Sequence, residues 1–203
     1  MSSATAQRGG RRLEGFRVVI VMVAVMWAAE IVDVLAGHRL DRYGIEPRDS
    51  DGLIGVLAAP LLHAGFGHLA ANTVPFVAMG FAIALRGAFR VLAVTAIVAL
   101  VSGLGTWLFA APGTIHIGAS GIVFGYATYV LTQGFFERDI LGIAIGLAVG
   151  AIWGTALLGG LLPQAGISWQ GHLFGAIGGV VAARALSRGA TRSSRSSRAG
   201  SAG

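Results

Sequence analysis

Ser120 and His172 are the two side chains whose types most directly suggest a reaction. Ser120 stands in Gly-Ala-Ser-Gly and His172 in Gly-His-Leu-Phe-Gly. A neutral imidazole that takes up a proton near pH 7 is what a serine hydroxyl needs in order to act as a nucleophile. Each residue also has an ordinary alternative, because a serine before glycine is commonly a helix N-cap and a buried histidine commonly bonds a carbonyl. The two together make a candidate nucleophile–base pair, with Ser120 as nucleophile and His172 as base.

His68 and Asn72 are a second pair of polar residues inside an apolar segment. They are four positions apart and therefore share one face of a helix. An imidazole N–H and a carboxamide NH₂ on adjacent turns can both donate to a developing oxyanion, as can the backbone N–H of Ser120 at a helix N-terminus. The alternative is a polar pair that only ties two helices together. His63 precedes this face, and we expect it to be structural and to bond the loop backbone.

Metal and aspartyl chemistry receive little support from the sequence. A catalytic zinc site needs three protein ligands, and no His-Glu-x-x-His motif is present. Glu30 and Asp33 share one face near the end of the first apolar segment, where we expect them to reach the membrane interface. The chain has no cysteine, which excludes disulfides and thiolate metal sites. We therefore predict no metal at the site and no cofactor.

The elements that must position these residues are membrane helices. The 203-residue chain is 55% apolar and only 12% charged, with a mean hydropathy of +0.74, far from the composition of a soluble globular domain. At roughly 20 residues per span, it has room for six. The predicted fold is an all-α six-helix membrane domain over 16–186, between a polar N-terminus at 1–15 and a disordered basic tail at 187–203. The predicted spans are 16–36, 66–85, 90–111, 119–135, 140–162 and 171–186.

The distribution of arginine predicts the orientation of these spans. All 15 basic residues are arginine, and all except Arg39, Arg42 and Arg48 are expected on the side of the bundle that carries both termini. The positive-inside rule therefore predicts that both termini are cytoplasmic. In this topology His68, Asn72, Ser120 and His172 lie near the outer ends of three different spans, at one membrane depth. Polar residues inside spans are costly, so this convergence predicts a functional site.

The net charge of +6 has a simple explanation in this topology. Arginines at the ends of apolar segments set orientation and contact anionic lipid, so the charge does not indicate nucleic-acid binding. The expected surroundings are the lipid bilayer, and the Gly/Ala-rich, lysine-free composition favours a bacterial plasma membrane. The sequence carries no indication of oligomeric state.

Three motifs in this order resemble those of the rhomboid proteases, and the resemblance covers the chain from about Phe16 to Leu186. His63-Ala-Gly-Phe-Gly-His68-Leu-Ala-Ala-Asn72 is similar to the His…His…Asn motif of the family's second helix. Gly118-Ala-Ser120-Gly121 is similar to its Gly-x-Ser-Gly motif, and His172-Leu-Phe-Gly175 to its sixth-helix His-x-x-Gly. The resemblance implies a six-helix bundle in which a Ser–His dyad cleaves transmembrane segments of other proteins.

Carried over to these positions, the resemblance implies that Ser120 is the nucleophile and His172 the general base and acid. His68, Asn72 and the Ser120 backbone N–H would form the oxyanion hole. Supporting roles would fall to residues around the dyad, namely His63, Gly118, Gly121 and Gly175, the last pair by allowing close helix packing.

The sequence departs from the family pattern in two places. Phe124 stands where well-known bacterial members carry a tyrosine beneath the catalytic histidine, so stacking is kept and the hydroxyl is lost. The 37–65 connection also lacks the Trp-Arg pair of many members. The main alternative function is a proteolytically inactive relative that binds transmembrane clients as a chaperone or scaffold; a small transporter is disfavoured by the absence of repeats.

Overall fold

The computed structural model describes residues 3–199, and it describes the side chains of residue 5 and of residues 7–187. This part of the chain folds into α-helices joined by short loops and 3₁₀ turns, and its extended pairing is limited to one bridge between Ile45 and His116. The helices are α1 (Ser3–Leu35), α2 (Gly55–Ala58), α3 (Phe66–Ala84), α4 (Ala88–Phe109), α5 (Ser120–Glu137), α6 (Ile140–Gly160) and α7 (Trp169–Ala199).

The six long helices correspond to the six predicted apolar segments. Apart from the start of α1 and the end of α7, their ends differ from the predicted ones by a few residues. Four of them, α1 from Gln7, α3, α4 and α6, are long and apolar enough to cross a membrane by length and composition. This confirms an all-helical membrane fold. That α5 and α7 also cross, which would complete six spans, stays a prediction. Their lower hydropathy has a structural reason, because they pack most extensively against each other and so present less surface to lipid.

The centre of the bundle is α5, which packs against α7, α6, α3 and α4. Its aromatic residues Tyr126 and Tyr129 are fully buried, and Tyr126 packs against Phe76 of α3 with ring centroids 5.1 Å apart. Hydrophobic residues of α1, α4 and α7 complete the core around them. Any side chain at the start of α5 is therefore held by neighbours from several helices.

The 37–65 connection folds over the loop that precedes α5. It contains 3₁₀ turns at Asp41–Tyr43, Asp51–Ile54 and Ala59–Leu61, and α2 between the last two. Ile45 exchanges two backbone hydrogen bonds with His116, with N···O distances of 2.9 and 3.0 Å. Arg48 donates to the Ala110 carbonyl at the end of α4. The connection is thus tied to the 112–118 loop and to the end of the helix that precedes it.

An ion-pair network closes the opposite end of the bundle. Arg86 follows α3, Arg90 lies in α4, and both contact Glu137 at the end of α5. Arg86 also bonds Asp139 at 2.6 Å, and Arg90 bonds the Tyr129 hydroxyl at 3.0 Å. These two arginines lie on the side predicted to be cytoplasmic, and each of them pairs with a carboxylate.

Three features at the ends of the bundle differ from expectation. The backbone of α7 is helical to Ala199, through most of the segment predicted to be a disordered tail; residues 200–203 lie outside the described residues. Similarly, α1 begins at Ser3, within the predicted polar N-terminus. The expectation that Glu30 and Asp33 reach the interface is wrong. They are 0% and 1% exposed, and the Asp33 carboxylate is held by the His38 ring and the Leu40 N–H at the start of the 37–65 connection.

Candidate active site

The loop before α5 fixes where Ser120 begins its helix. Gly118 has φ +117°, a conformation that L side chains rarely adopt, and a Cβ there would approach the His68 ring to 2.8 Å. The Gly118 N–H donates to the Ala59 carbonyl at 2.9 Å, and the Ala119 N–H donates to His63 Nε2 at 3.2 Å. Ser120 is the first residue of α5, where backbone N–H groups have no partner within the helix.

Ser120 and His172 lie within hydrogen-bond distance of each other. The distance between Ser120 Oγ and His172 Nε2 is 2.8 Å, and His172 Nδ1 lies 2.7 Å from the Gly160 carbonyl oxygen. Because a carbonyl oxygen only accepts, Nδ1 must carry the proton of the neutral ring. Nε2 is then unprotonated and accepts the Ser120 hydroxyl. This is the tautomer that a general base for Ser120 requires.

The Gly160 carbonyl has the position that a carboxylate holds in a catalytic triad. Gly160 is the last residue of α6, and the final carbonyls of a helix have no partner within the helix. One such carbonyl is therefore available to orient His172. Phe124, one turn after Ser120, stacks on the imidazole with ring centroids 4.1 Å apart and an interplanar angle of 5°. His172 is thus held both in its plane and at its Nδ1 edge.

Close contact between α5 and α7 sets the separation of the two residues. A Cβ on Gly175 would overlap the Gly121 carbonyl oxygen and lie 2.9 Å from the Gly121 carbonyl carbon. The Cβ position of Gly121 is likewise filled, by the Ser102 hydroxyl. Glycines at facing positions allow two helix backbones to touch, as membrane helices often do. At this point the two glycines bring the backbones of α5 and α7 into contact.

His68 lies beside the loop that precedes Ser120. Its imidazole carries the proton on Nε2, the nitrogen that faces this loop. Its Nδ1 accepts the Ala64 N–H at 3.3 Å, so the neutral ring carries its hydrogen on Nε2. A Cβ on Gly118 would lie 3.0 Å from this Nε2. Asn72 is buried, and its carboxamide nitrogen donates to the His68 carbonyl at 3.0 Å. The hydrogen bonds of the described residues do not connect either side chain to Ser120.

His63 is fully buried behind the loop that precedes α5. Its ring packs edge-on against His68 with centroids 5.2 Å apart, and its Nε2 accepts the Ala119 N–H. Burial, and next the nearby His68, lower the pKa of His63 to about 4. The ring is therefore neutral at physiological pH, and the lone pair on Nε2 stays available to the loop. This contact supports the structural role predicted for His63.

The structure adds polar residues around Ser120 that the sequence analysis did not select. A cavity of about 30 Å³ beside Ser120 is lined by Ser102, Thr106, His116 and Ser168, which is room for a water molecule. His116 Nδ1 lies 2.8 Å from the Ser168 hydroxyl, and burial lowers its pKa. Ser102 and Thr106 are polar residues four apart in an apolar helix, so the criterion that selected His68 and Asn72 could have found them. A separate group of potential metal ligands, Asp33, His38 and Asp41, lies where α1 ends.

Comparison with known proteins gives a consistent result. Residues 50–189 match the family model of the Rhomboid domain. The chain is 46% identical over 185 residues to "Uncharacterized protein Rv1337" of Mycobacterium tuberculosis, a match that covers 87% of this chain and 77% of that protein. It is 41% identical over 189 residues to "Uncharacterized protein ML1171" of Mycobacterium leprae, covering 87% and 73%. It is also 30% identical over 120 residues to "Putative rhomboid protease YdcA" of Bacillus subtilis, covering 59% and 60%.

Proposed function

Because this chain belongs to the rhomboid family, we propose that it is an intramembrane serine endopeptidase with a Ser120–His172 dyad. The observation that carries the proposal is the pair of hydrogen bonds at His172. The Ser120 hydroxyl lies 2.8 Å from Nε2, and the Gly160 carbonyl lies 2.7 Å from Nδ1. A related protein that only binds transmembrane segments, without cleaving them, would not require a histidine whose unprotonated Nε2 faces a serine hydroxyl.

The acylation step follows from this geometry. Ser120 Oγ attacks the scissile carbonyl carbon while its proton passes to His172 Nε2. The resulting tetrahedral oxyanion accepts hydrogen bonds from the Ser120 backbone N–H and from His68 Nε2–H, with Asn72 as a further donor after a side-chain rotation. Collapse of the intermediate breaks the C–N bond, and the leaving amine takes the proton from Nε2. The substrate's acyl group is then esterified to Ser120.

Hydrolysis of this ester requires water inside the bundle. The cavity lined by Ser102, Thr106, His116 and Ser168 provides polar partners for a water molecule next to Ser120. His172 Nε2 takes a proton from the attacking water, and collapse returns a proton to Ser120 Oγ as the carboxylic acid leaves. The Gly160 carbonyl stabilises the imidazolium in both steps, but less than a carboxylate would. Slow turnover is therefore expected.

The proposed substrates are transmembrane segments of other proteins, cleaved in the plasma membrane with both termini of this chain cytoplasmic. A helical substrate shields its carbonyls with its own hydrogen bonds, so it must unwind at the cleavage site. Small or helix-breaking residues are expected there. Efficient cleavage within an uninterrupted leucine-rich helix would contradict this expectation.

The test is cleavage of a transmembrane substrate in liposomes by the wild type, Ser120→Ala and His172→Ala. We expect cleavage by the wild type and none by either variant. A fluorophosphonate probe, which should label the wild type but not Ser120→Ala, tests the nucleophile when no substrate is cleaved. If Ser120→Ala cleaves as well as the wild type, the dyad assignment is wrong. If the wild type is neither active nor labelled, the binding protein without protease activity becomes the better assignment.

A further inference from the structure

Four ionisable side chains converge where α1 ends and the 37–65 connection begins. We call Glu30, Asp33, His38 and Asp41 the α1-end cluster. Potential ligand atoms of Asp33, His38 and Asp41 all lie within 4.8 Å of one another. Asp33 Oδ2 lies 3.1 Å from His38 Nδ1, while Asp33 Oδ1 accepts the Leu40 N–H at 2.6 Å. That backbone hydrogen bond holds the Asp33 carboxylate in a fixed orientation.

Glu30 is a buried carboxylate without a hydrogen-bond partner among the described residues. It lies one helical turn before Asp33 on the same face of α1, and it is 0% exposed. Neither of its carboxylate oxygens has a hydrogen-bond partner among the described residues, and Asp41 Oδ1 is also buried without one. Burying an unpaired carboxylate is costly, so unsatisfied oxygens such as these call for a missing partner.

Among the described residues, His38 is the salt-bridge partner of the cluster, and it pairs with Asp33. The salt bridges formed by arginine lie at the opposite end of the bundle, where Arg86 and Arg90 pair with Glu137 and Asp139. Within the described structure, the carboxylates of the cluster therefore have a single half-exposed imidazole as ion-pair partner.

We propose that the α1-end cluster is a binding site for a divalent transition-metal ion of the Zn²⁺ class. Carboxylate oxygens together with an imidazole nitrogen are characteristic zinc ligands, whereas Ca²⁺ and Mg²⁺ prefer oxygen alone. Two ligand atoms of a tetrahedral zinc ion are roughly 3.4 Å apart when each bond is about 2.1 Å. Side-chain rotations are enough to bring the three groups from within 4.8 Å to that spacing. Glu30, whose oxygens lie outside this 4.8 Å group, supplies the fourth ligand after a rotation of its side chain.

Backbone geometry in the connection supports this assignment. His38 has φ +58°, a left-handed conformation that is uncommon for residues other than glycine, and it holds the imidazole against Asp33. Asp41 begins the 3₁₀ turn that leads to Ile45, whose backbone is paired with His116 in the loop before Ser120. A metal ion here links α1 to the connection and, through Ile45, stabilises the loop that presents the nucleophile.

The test uses the untagged full-length chain in detergent, stripped with EDTA, then titrated with ZnCl₂, CaCl₂ or MgCl₂ by calorimetry. Asp33→Asn retains an acceptor for the Leu40 N–H, and Asp41→Asn changes a partly exposed side chain. Asp51→Asn, an exposed carboxylate in the same connection, is the matched control. The readouts are stoichiometry, affinity and unfolding temperature. None involves proteolysis, so the result is independent of the proposed function.

We expect the wild type to bind one Zn²⁺ per chain and to unfold at a higher temperature when Zn²⁺ is present. Asp33→Asn and Asp41→Asn should each reduce the affinity for Zn²⁺ at least tenfold, and Asp51→Asn should leave it unchanged. Asp41→Asn should also raise the unfolding temperature of the metal-free protein, because it removes repulsion between carboxylates. A purely structural cluster would not give these opposite effects with and without metal. Equal zinc affinity in the wild type and both cluster variants would overturn the site, and equal affinity for Ca²⁺ would overturn the Zn²⁺ class.

Discussion

The backbone contact between Gly121 and Gly175 makes a quantitative prediction about the distance between Ser120 and His172. In Gly175→Ala, the new Cβ would overlap the Gly121 carbonyl oxygen and lie 2.9 Å from its carbon and 3.1 Å from its Cα. Carbon atoms pack at about 3.5–4.0 Å, so α5 and α7 must separate by about 1 Å. His172 lies one turn before Gly175 and moves with α7.

The expected loss of activity is larger than the loss of stability. A separation of about 1 Å would lengthen the 2.8 Å contact between Ser120 Oγ and His172 Nε2 beyond hydrogen-bond range. A misplacement of this size costs about 10²-fold in rate, or about 2.7 kcal/mol of transition-state stabilisation. Overpacking typically costs about 1–3 kcal/mol of folding free energy. Most of the protein should therefore stay folded while kcat falls about 100-fold.

The assay is single-turnover cleavage of a reconstituted transmembrane substrate, with thermal unfolding measured on the same preparation. Gly154→Ala is the matched control, because it makes the same change in a membrane helix where no atom lies within 4 Å of the new Cβ. It should keep full activity and lose no stability, since alanine favours helix over glycine. If Gly175→Ala retains more than half of the wild-type rate, the glycine contact does not set the dyad distance, and this reasoning is wrong.

Three further predictions concern residues around the dyad. Phe124→Ala should lower kcat about tenfold or more by removing the ring stacked on His172, whereas Phe124→Tyr should stay near the wild type; equal rates in both variants would show that stacking is unimportant. His68→Ala should lower kcat by roughly 10²–10³ with little change in unfolding temperature if it donates to the oxyanion, and a loss confined to stability would make it structural. The His63 pKa of about 4 lies below its ordinary 6.5, so the unfolded chain binds the proton first. Stability is then full above pH 6.5 and falls toward pH 4, by up to about 3 kcal/mol. Unfolding temperatures from pH 7.5 to 4.5 should therefore fall more steeply for the wild type than for His63→Gln, and parallel curves would contradict this prediction.

The sequence by itself determined the helical class, the approximate ends of α3, α4, α5 and α6, and the residues that we propose as the dyad. Apolar runs of membrane-spanning length need only local composition to be recognised. Ser120, His172, His68 and Asn72 were found because polar side chains in apolar helices are costly and therefore few. The tertiary structure brought Ser120 and His172 together, as the convergence of their helices had predicted.

Other features could not be read from the sequence, because they depend on the backbone or on charge burial. The partner of His172 Nδ1 is the carbonyl of Gly160, and a backbone carbonyl carries no sequence signature. Only the ending of α6 at that residue leaves the carbonyl unpaired, and only the packing of α6 and α7 against α5 brings it to the imidazole. Likewise, whether Glu30 reaches the interface or lies buried depends on what covers α1. Both features, the contact between Gly160 and His172 and the burial of Glu30, arise only when the helices pack, because the contacts involved join residues that are distant in the chain.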